Sequence, residues 1–512
     1  MKEVFLKKKA NKAYPAQKIT RQEKKHQKAA IRARERRQNE LNKIAKKQEK
    51  ANKRIEQLKA KGLANNGAKI RKPRFTDEQL SRKRALLRIA EQQSPNADWV
   101  HLDNAAMIFP STDTPDINGM FRLSAILKEK IDPYTLQHAL NSTMRRFPTI
   151  TSSIKRGVFW YYLEPSIYPL VVEEERLFPC TRIPMDSRHA GIRVTYFDYR
   201  ISVDFFHAVT DGSGGIVFLN TLVGAYLRLI GVEIKDKEYY LDDRDKPQRE
   251  EAIDSFMQMA DLKSPKIAKD VVSFQIPGQR LNNFSLIVVN GSMDSSQLNR
   301  VAKERGVTIT QLLAAVIAWA IEEERRFFGY SKKRPVVISV PANLRKYYPT
   351  PSLRNFVTVM SIHSNGSTDF DSILKTVKEQ FIQQNNMEYF MGTINFNVKS
   401  QRNFLIKICP LVLKNIILKI AFEKYGAKAR TSTISNLGIV KPPKEFSEHV
   451  CRYEFILGPQ KREMVSFSCC TYQNKTVISV SRTIKESGIV RLFFTKLAEL
   501  GLSIDVDTNC DI

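Results

Sequence analysis

From position 99 onward the chain alternates between two hydrophobic periodicities. Short alternating or continuous apolar runs predict strands at 122–126, 158–163, 192–198 and 201–207. A second group follows at 285–289, 335–340, 356–362, 431–435, 453–457, 465–472 and 477–482. Between them, apolar residues three and four apart predict helices at 133–146, with Leu136, Leu140 and Met144 on one face, and at 216–230, 295–305, 310–326 and 489–502. Leu312, Leu313, Val316, Ile317 and Ala320 mark the Ala-rich helix 310–326 as buried. The charged stretch 235–251, with Asp242, Asp243, Asp245 and Pro247, reads as the start of a linker between two halves. Mixed strands and helices with antiparallel neighbours predict an α+β fold of mixed α/β layers. The most hydrophobic window, 404–422, is interrupted by Lys407, Pro410, Lys414 and Lys419. A membrane-spanning helix needs about 20 mostly apolar residues. The window is therefore expected to be a core helix, in preference to one lining an acyl channel or lying on a membrane.

The first hundred residues lack this alternation. Thr20 with Glu23 forms a capping box that opens a run without Pro or Gly as far as Lys61. As one helix this run would be roughly 60 Å long. Its apolar residues, Leu41, Ile44, Ile55 and Leu58 among them, are too sparse for a coiled-coil seam. A second capping box, Thr76 with Gln79, starts a shorter basic helix that stops at Ser94-Pro95 and carries Leu80, Leu86, Leu87 and Ile89 as docking residues. These breaks divide the chain into a basic, helical or disordered extension (1–94), a first half (95–280) and a second half (281–512).

Charge follows the same division. Positions 1–90 hold 30 Lys and Arg against 8 Asp and Glu, which is +22 of the formal +30. The remainder is an ordinary, mildly basic body. Between Arg21 and Lys61 there are 16 basic and 5 acidic residues and no aromatic. Such an arm is either a solvated extension or a salt-sensitive, sequence-independent contact to an anionic membrane surface or RNA. The absent aromatics argue against single-strand stacking, and the absent apolar face argues against deep insertion. The cysteines, Cys180, Cys409, Cys451, Cys469, Cys470 and Cys510, show no CxxC spacing and no histidine at metal-ligand spacing. They are expected to be mostly buried thiols in a reducing compartment, with no metal bound. No apolar h-region follows Met1. The expectation is a cytoplasmic monomer, peripheral to the inner membrane surface if the arm engages lipid.

Chemistry concentrates at Asp204-Phe205-Phe206-His207-Ala208-Val209-Thr210-Asp211-Gly212-Ser213-Gly214-Gly215. An apolar strand ends at His207, a turn with Asp211 and Gly212 follows, and a helix begins. A lone histidine at a strand end is most often a backbone-bonded core residue. Here the glycines permit close approach of another chain or ligand, and a neutral imidazole suits proton abstraction near pH 7. Asp211 has two possible tasks, orienting the imidazole or pairing with an arginine to hold the turn. His363 and His449 are the other candidate bases, but no comparable turn surrounds them.

His207-Ala208-Val209-Thr210-Asp211-Gly212 resembles the HxxxDG motif of the CoA-dependent acyltransferases of chloramphenicol acetyltransferase fold. Other segments match in order. Leu102-Asp103-Asn104-Ala105-Ala106 opens the body as in the alcohol acetyltransferase branch. Val340-Pro341-Ala342-Asn343-Leu344-Arg345 with Arg354-Asn355-Phe356, and Thr433-Ile434-Ser435-Asn436-Leu437-Gly438, resemble the second-half strand, loop and Ser-Asn-x-Gly segment of that family. The resemblance spans roughly residues 98–505 and leaves the arm uncovered.

It implies two similar halves forming a pseudo-dimer around a central tunnel. It implies acyl-CoA as co-substrate with no bound cofactor, an alcohol or lipid-like acceptor, and His207 as general base. Asp211 and Gly212 would shape the turn, with Arg345 the candidate partner of Asp211. Ser435, Asn436 and Gly438 would line the oxyanion region, although Asn-Leu-Gly equally reads as a simple strand-ending turn. Phe206 stands where peptide-forming condensation domains carry a second histidine, and the Asp-Phe-Gly-Trp-Gly segment of plant acyltransferases is absent. Two rivals remain: an amide-forming or glycolipid acyltransferase, and a non-catalytic scaffold held on membrane or RNA by the arm.

Overall fold

In a computed structural model, the described residues are 76–90 and 99–510, apart from 115–117, 167, 187–188, 237–239, 263–270, 282–284, 423–425, 427 and 461. The isolated positions Asn39, Asn42 and Lys46 are also described, and all are helical. The rest of the helix expected over 20–61 lies outside the described residues. The chain forms two compact units, 1–84 and 85–512. In the first, the second capping box is formed: Gln79 N donates to Thr76 Oγ1 at 3.2 Å and Thr76 N to Gln79 Oε1 at 2.9 Å. It opens the helix Asp77–Ala90.

The second unit begins with Leu86, Leu87 and Ala90 buried, and Asn141 Nδ2 donates to Ile89 O at 2.8 Å. Its body holds two large sheets, each with its own core. The five-stranded sheet runs in the order Val450–Leu457, Met120–Leu127, Arg200–Phe206, Ile192–Phe197 and Glu173–Glu174. Ile201, Val203 and Phe205 supply its apolar face, packed under the helices Pro133–Arg146 and Gly212–Leu229. On the opposite face Asp204 is buried against Arg122, at 2.7 Å, and Arg193. A buried carboxylate between two guanidiniums is held below its usual titration range by the arginines, which outweigh its burial.

The seven-stranded sheet runs Val357–His363, Val337–Asn343, Ser432–Ile439, Val465–Tyr472, Lys475–Arg482, Ile287–Asp294 and Asp505–Thr508. Over it packs the helix Ile309–Phe327, which the Ala-rich pattern marked as buried. Phe370–Gln384 and Gly488–Glu499 pack against that helix. The helices Phe370–Gln384 and Met387–Arg402 and the edge strand Asp505–Thr508 go beyond the expected elements.

Two differences from the sequence expectation are physical. The strand Val450–Leu457, late in the chain, pairs antiparallel with Met120–Leu127 and buries Tyr453, Phe455 and Ile456 in the first core. Alternation reveals that a segment is a strand, but not which sheet edge receives it. The window 404–422 is not a core helix. Proline has no N–H to continue a helical ladder, and the segment divides at Pro410 into Phe404–Ile408 and Leu411–Ala421. Most of its aliphatic side chains face outward, while Leu411 and Lys414 are buried.

Candidate active site around His207

The Arg200–Phe206 strand ends one residue before His207, whose N–H donates to Gly119 O at 2.8 Å on the neighbouring strand's approach. The half-buried imidazole lies parallel to the Phe109 ring, with centroids 4.5 Å apart and planes at 13°. Phe121 meets it edge-on at 5.1 Å. These two rings fix the plane of the imidazole. Its Nδ1 is 2.8 Å from Asn355 Oδ1.

The carboxamide of Asn355 can face only one way. Its Nδ2 is 3.2 Å from Asp103 Oδ2, and a carboxylate accepts, so the amide nitrogen must point there and the oxygen toward His207. An amide oxygen in turn requires a donor. Nδ1 therefore carries a proton, and in the neutral imidazole the lone pair is on Nε2. Asp103 is completely buried, and it also accepts from Ala106 N at 2.7 Å and Arg354 Nε at 3.3 Å. The chain Asp103–Asn355–His207 thus selects the Nδ1–H tautomer of the neutral ring.

Asp211 does not touch the imidazole in this network. It is the N-cap of the helix Gly212–Leu229: Oδ1 accepts from Ser213 N and Gly214 N, both at 3.0 Å. Oδ2 accepts from Phe356 N at 2.9 Å and from Arg345 Nη1 at 2.7 Å. Of its two possible tasks, the structure places it in the second, joined to Arg345. Arg345 also donates to Ser352 O through Nε and Nη2, at 3.0 and 2.9 Å, so one ion pair ties the 343–356 segment to the HxxxDG turn. Thr210 Oγ1 adds a 2.7 Å bond to Leu353 O. The same segment delivers Asn355 to His207.

Close approach explains the glycines. A Cβ at Gly214 would lie 2.1 Å from Thr210 Oγ1 and 2.3 Å from Leu353 O, so no side chain fits between turn and loop. A Cβ at Gly212 would lie 2.6 Å from Leu437 Cδ2. Leu437 brings the Ser435–Gly438 segment of the second sheet against the turn. Asn436 is committed to local structure: Oδ1 accepts from Gly438 N at 2.7 Å and Nδ2 donates to Thr310 Oγ1 at 3.0 Å. Gly438 has φ +77°, in the left-handed region, and the sheet register shifts between Asn436 and Ile439. The half-buried Ser435 hydroxyl has no protein hydrogen-bond partner among the described residues. Of the side chains expected at the oxyanion region, Asn436 is held by these bonds with one of its two Nδ2 N–H groups engaged, and Ser435 keeps its whole hydroxyl available.

Asp254 lies behind Asp103. It accepts from Asn104 N at 2.8 Å and caps the short helix Ser255–Met259. Burial, reinforced by the negative charge of Asp103, pushes its carboxyl up to about 6. His363 ends an edge strand and His449 follows the turn Lys444–Glu448, on elements outside this convergence. A cavity of about 420 Å³ lined by Arg122, Glu175, Arg200, Glu454 and Asp507 does not include His207. Its arginines already pair with Asp204 and Glu175, so side-chain convergence rather than cavity size identifies the site. Asn355, Asp103 and Phe109 carried no assigned role in the sequence, because they meet His207 only through long-range contacts (Asn355 is 148 positions away).

No family model and no curated protein sequence matches the chain. Solved structures do. Polyketide synthase associated protein 5 from Mycobacterium tuberculosis is 12% identical, with 80% of this chain and 99% of that one covered at TM-score 0.54. F. graminearum TRI101, complexed with coenzyme A and deoxynivalenol, is 11% identical, covering 80% and 100% at TM-score 0.53. The TRI3 trichothecene 15-O-acetyltransferase from Fusarium sporotrichioides is 10% identical, covering 80% and 96% at TM-score 0.50. At such identities the likeness is one of fold. What the chain shares with them is the mixed α/β layering of the chloramphenicol acetyltransferase-like architecture.

Proposed function

We propose that this protein is a CoA-dependent O-acyltransferase that moves an acyl group, acetyl in the first instance, from acyl-CoA to an alcohol. The observation that carries this reading is the His207–Asn355 bond, whose direction is set by Asp103 and which puts the lone pair of the neutral imidazole on Nε2. In the proposed reaction Nε2 takes the hydroxyl proton as the acceptor oxygen attacks the thioester carbonyl. The tetrahedral oxyanion receives a hydrogen bond from Ser435. Collapse breaks the C–S bond, and the proton on Nε2 passes to the departing CoA thiolate. One ester forms, one thioester is lost, and the imidazole returns to its starting state. A preorganised oxyanion donor of this kind is worth about 3–4 kcal/mol.

The fold supports the reading: it is shared with TRI101, which was crystallised with coenzyme A, and with TRI3, a 15-O-acetyltransferase. The rival scaffold reading gives no reason for a buried relay that selects one histidine tautomer. Amide formation on the same site is separated by acceptor choice, since an amine would replace the alcohol in the same proton transfer.

The test is release of free thiol from a panel of acyl-CoAs with short and long alcohols and amines. His207→Ala should abolish the acceptor-dependent release. Equal rates in wild type and His207→Ala would remove the mechanism, and no release with any donor would favour the scaffold.

A further inference from the structure

An exposed apolar face remains outside the acyl-transfer reading. The helix Leu411–Ala421 is inverted relative to one that meets water on its free side. Inward, Lys414 Nζ donates to Phe159 O at 2.9 Å and sits 3.3 Å over the Trp160 ring. Asn415 bonds to Ser111 at 2.9 Å and Tyr161 at 2.7 Å. Outward lie Val412, Leu413, Ile416, Ile417 and Ile420, between 52% and 72% exposed. The preceding helix Phe404–Ile408 adds Phe404 at 69%, and Val158, whose carbonyl accepts from Leu411 N, adds 72% at the adjoining hairpin tip. Isolated exposed aliphatics are ordinary, but a contiguous helical face of them marks a contact surface.

Its charge identifies the partner. Positions 389–422 carry Lys399, Arg402, Lys407, Lys414 and Lys419 and no Asp or Glu. Arg402, Lys407 and Lys419 are exposed around the apolar residues. A second copy docked by a two-fold would oppose these cations to themselves. The chain's own 21–61 segment is also strongly basic and would be repelled. Apolar side chains rimmed by lysine and arginine complement a bilayer with anionic headgroups. Among the described residues no single helix is long and apolar enough to cross a membrane.

We infer that the 404–421 face docks on an anionic bilayer, with Leu411–Ala421 lying in the plane of the interface. Its aliphatic residues enter the headgroup–acyl boundary, and the lysines stay with the lipid phosphates. The docked helix is bonded through Asn415 to the short helix Ile108–Thr112, the helix that stacks Phe109 on His207. The inference does not depend on acyl transfer, and its test reads binding rather than turnover.

The full chain is floated with vesicles of roughly 3:1 phosphatidylcholine to phosphatidylglycerol, first at low salt and then at about 1 M, where the Debye length is about 3 Å. At high salt an attraction due to the basic arm alone is screened, so wild type should remain bound through its apolar face. Ile416→Asp with Ile420→Asp should lower the bound fraction at least about tenfold, with an unchanged thermal unfolding midpoint because both side chains are exposed. At low salt Lys407→Glu with Lys419→Glu should weaken binding several-fold. Release of wild type at high salt would overturn the inference, as would equal binding of either variant. A wild-type dimer that the double aspartate variant converts to monomer would also overturn it, by making a second copy the occupant.

Discussion

Asn355→Ala is the most direct test of how the site is built. The substitution removes the acceptor of the His207 Nδ1 proton and one of three N–H groups on Asp103, and leaves Ala106 N and Arg354 Nε in place. Before reaction the lost bond is neutral, worth about 0.5–1.5 kcal/mol. As Nε2 takes the acceptor's proton the imidazole becomes cationic, and a bond to a charged group is worth about 1.5–3 kcal/mol. The part gained in the transition state, together with lost preference for the productive tautomer, should lower kcat about 10- to 100-fold. KM for acyl-CoA should change little, since Asn355 holds the base and not the donor. The assay is steady-state thiol release. Imidazole 15N shifts in parallel should show mixed tautomers in the variant and a single Nδ1–H form in wild type. Removing a buried side chain that satisfies Asp103 should also destabilise the fold by about 1–3 kcal/mol, so rates are normalised to folded protein. Wild-type kcat with an inactive His207→Ala would refute the positioning role of Asn355.

Ser435→Ala should lower kcat by about 10²-fold with stability within about 0.5 kcal/mol of wild type, read by turnover and urea unfolding. Gly214→Ala, which forces a Cβ within 2.3 Å of the Leu353 carbonyl, should destabilise by several kcal/mol, whereas Gly438→Ala, with open space around it at φ +77°, should cost only about 1–2 kcal/mol. Because the folded-state value of Asp254 is raised to about 6 from 3.8, the folded state binds its proton more tightly than the unfolded chain. Its contribution is therefore fully present below about pH 4 and is lost as pH rises through 6, by up to about 3 kcal/mol. Urea midpoints of wild type and Asp254→Asn across this window should diverge in that direction, and parallel curves would show that Asp254 is not perturbed.

Elements governed by local contacts were legible in the chain. The capping box at Thr76 and Gln79, the buried pattern of Ile309–Phe327 and the strand before His207 all follow from residues within one or two turns of each other. The window at 404–422 misled for a related reason. Hydropathy reports that side chains are apolar, but not whether any surface faces them. Here Lys414 and Asn415 found polar partners in Phe159, Ser111 and Tyr161, and this turned the aliphatic face outward.

The sequence by itself determined most of the elements, the turn that presents His207, and the glycines that let another segment approach it. It also contained every residue of the relay. Only the tertiary structure decided their partnership. Asn355 and Asp103 lie 148 and 104 positions from His207, in the other half and at the start of the body. Folding brings them to the imidazole by packing the 343–356 segment onto the HxxxDG turn, under the Asp211–Arg345 ion pair. Proton position on an imidazole is set by the atom its other nitrogen faces. That atom belongs to a distant part of the chain, so periodicity and spacing reveal a histidine in place but not its tautomer.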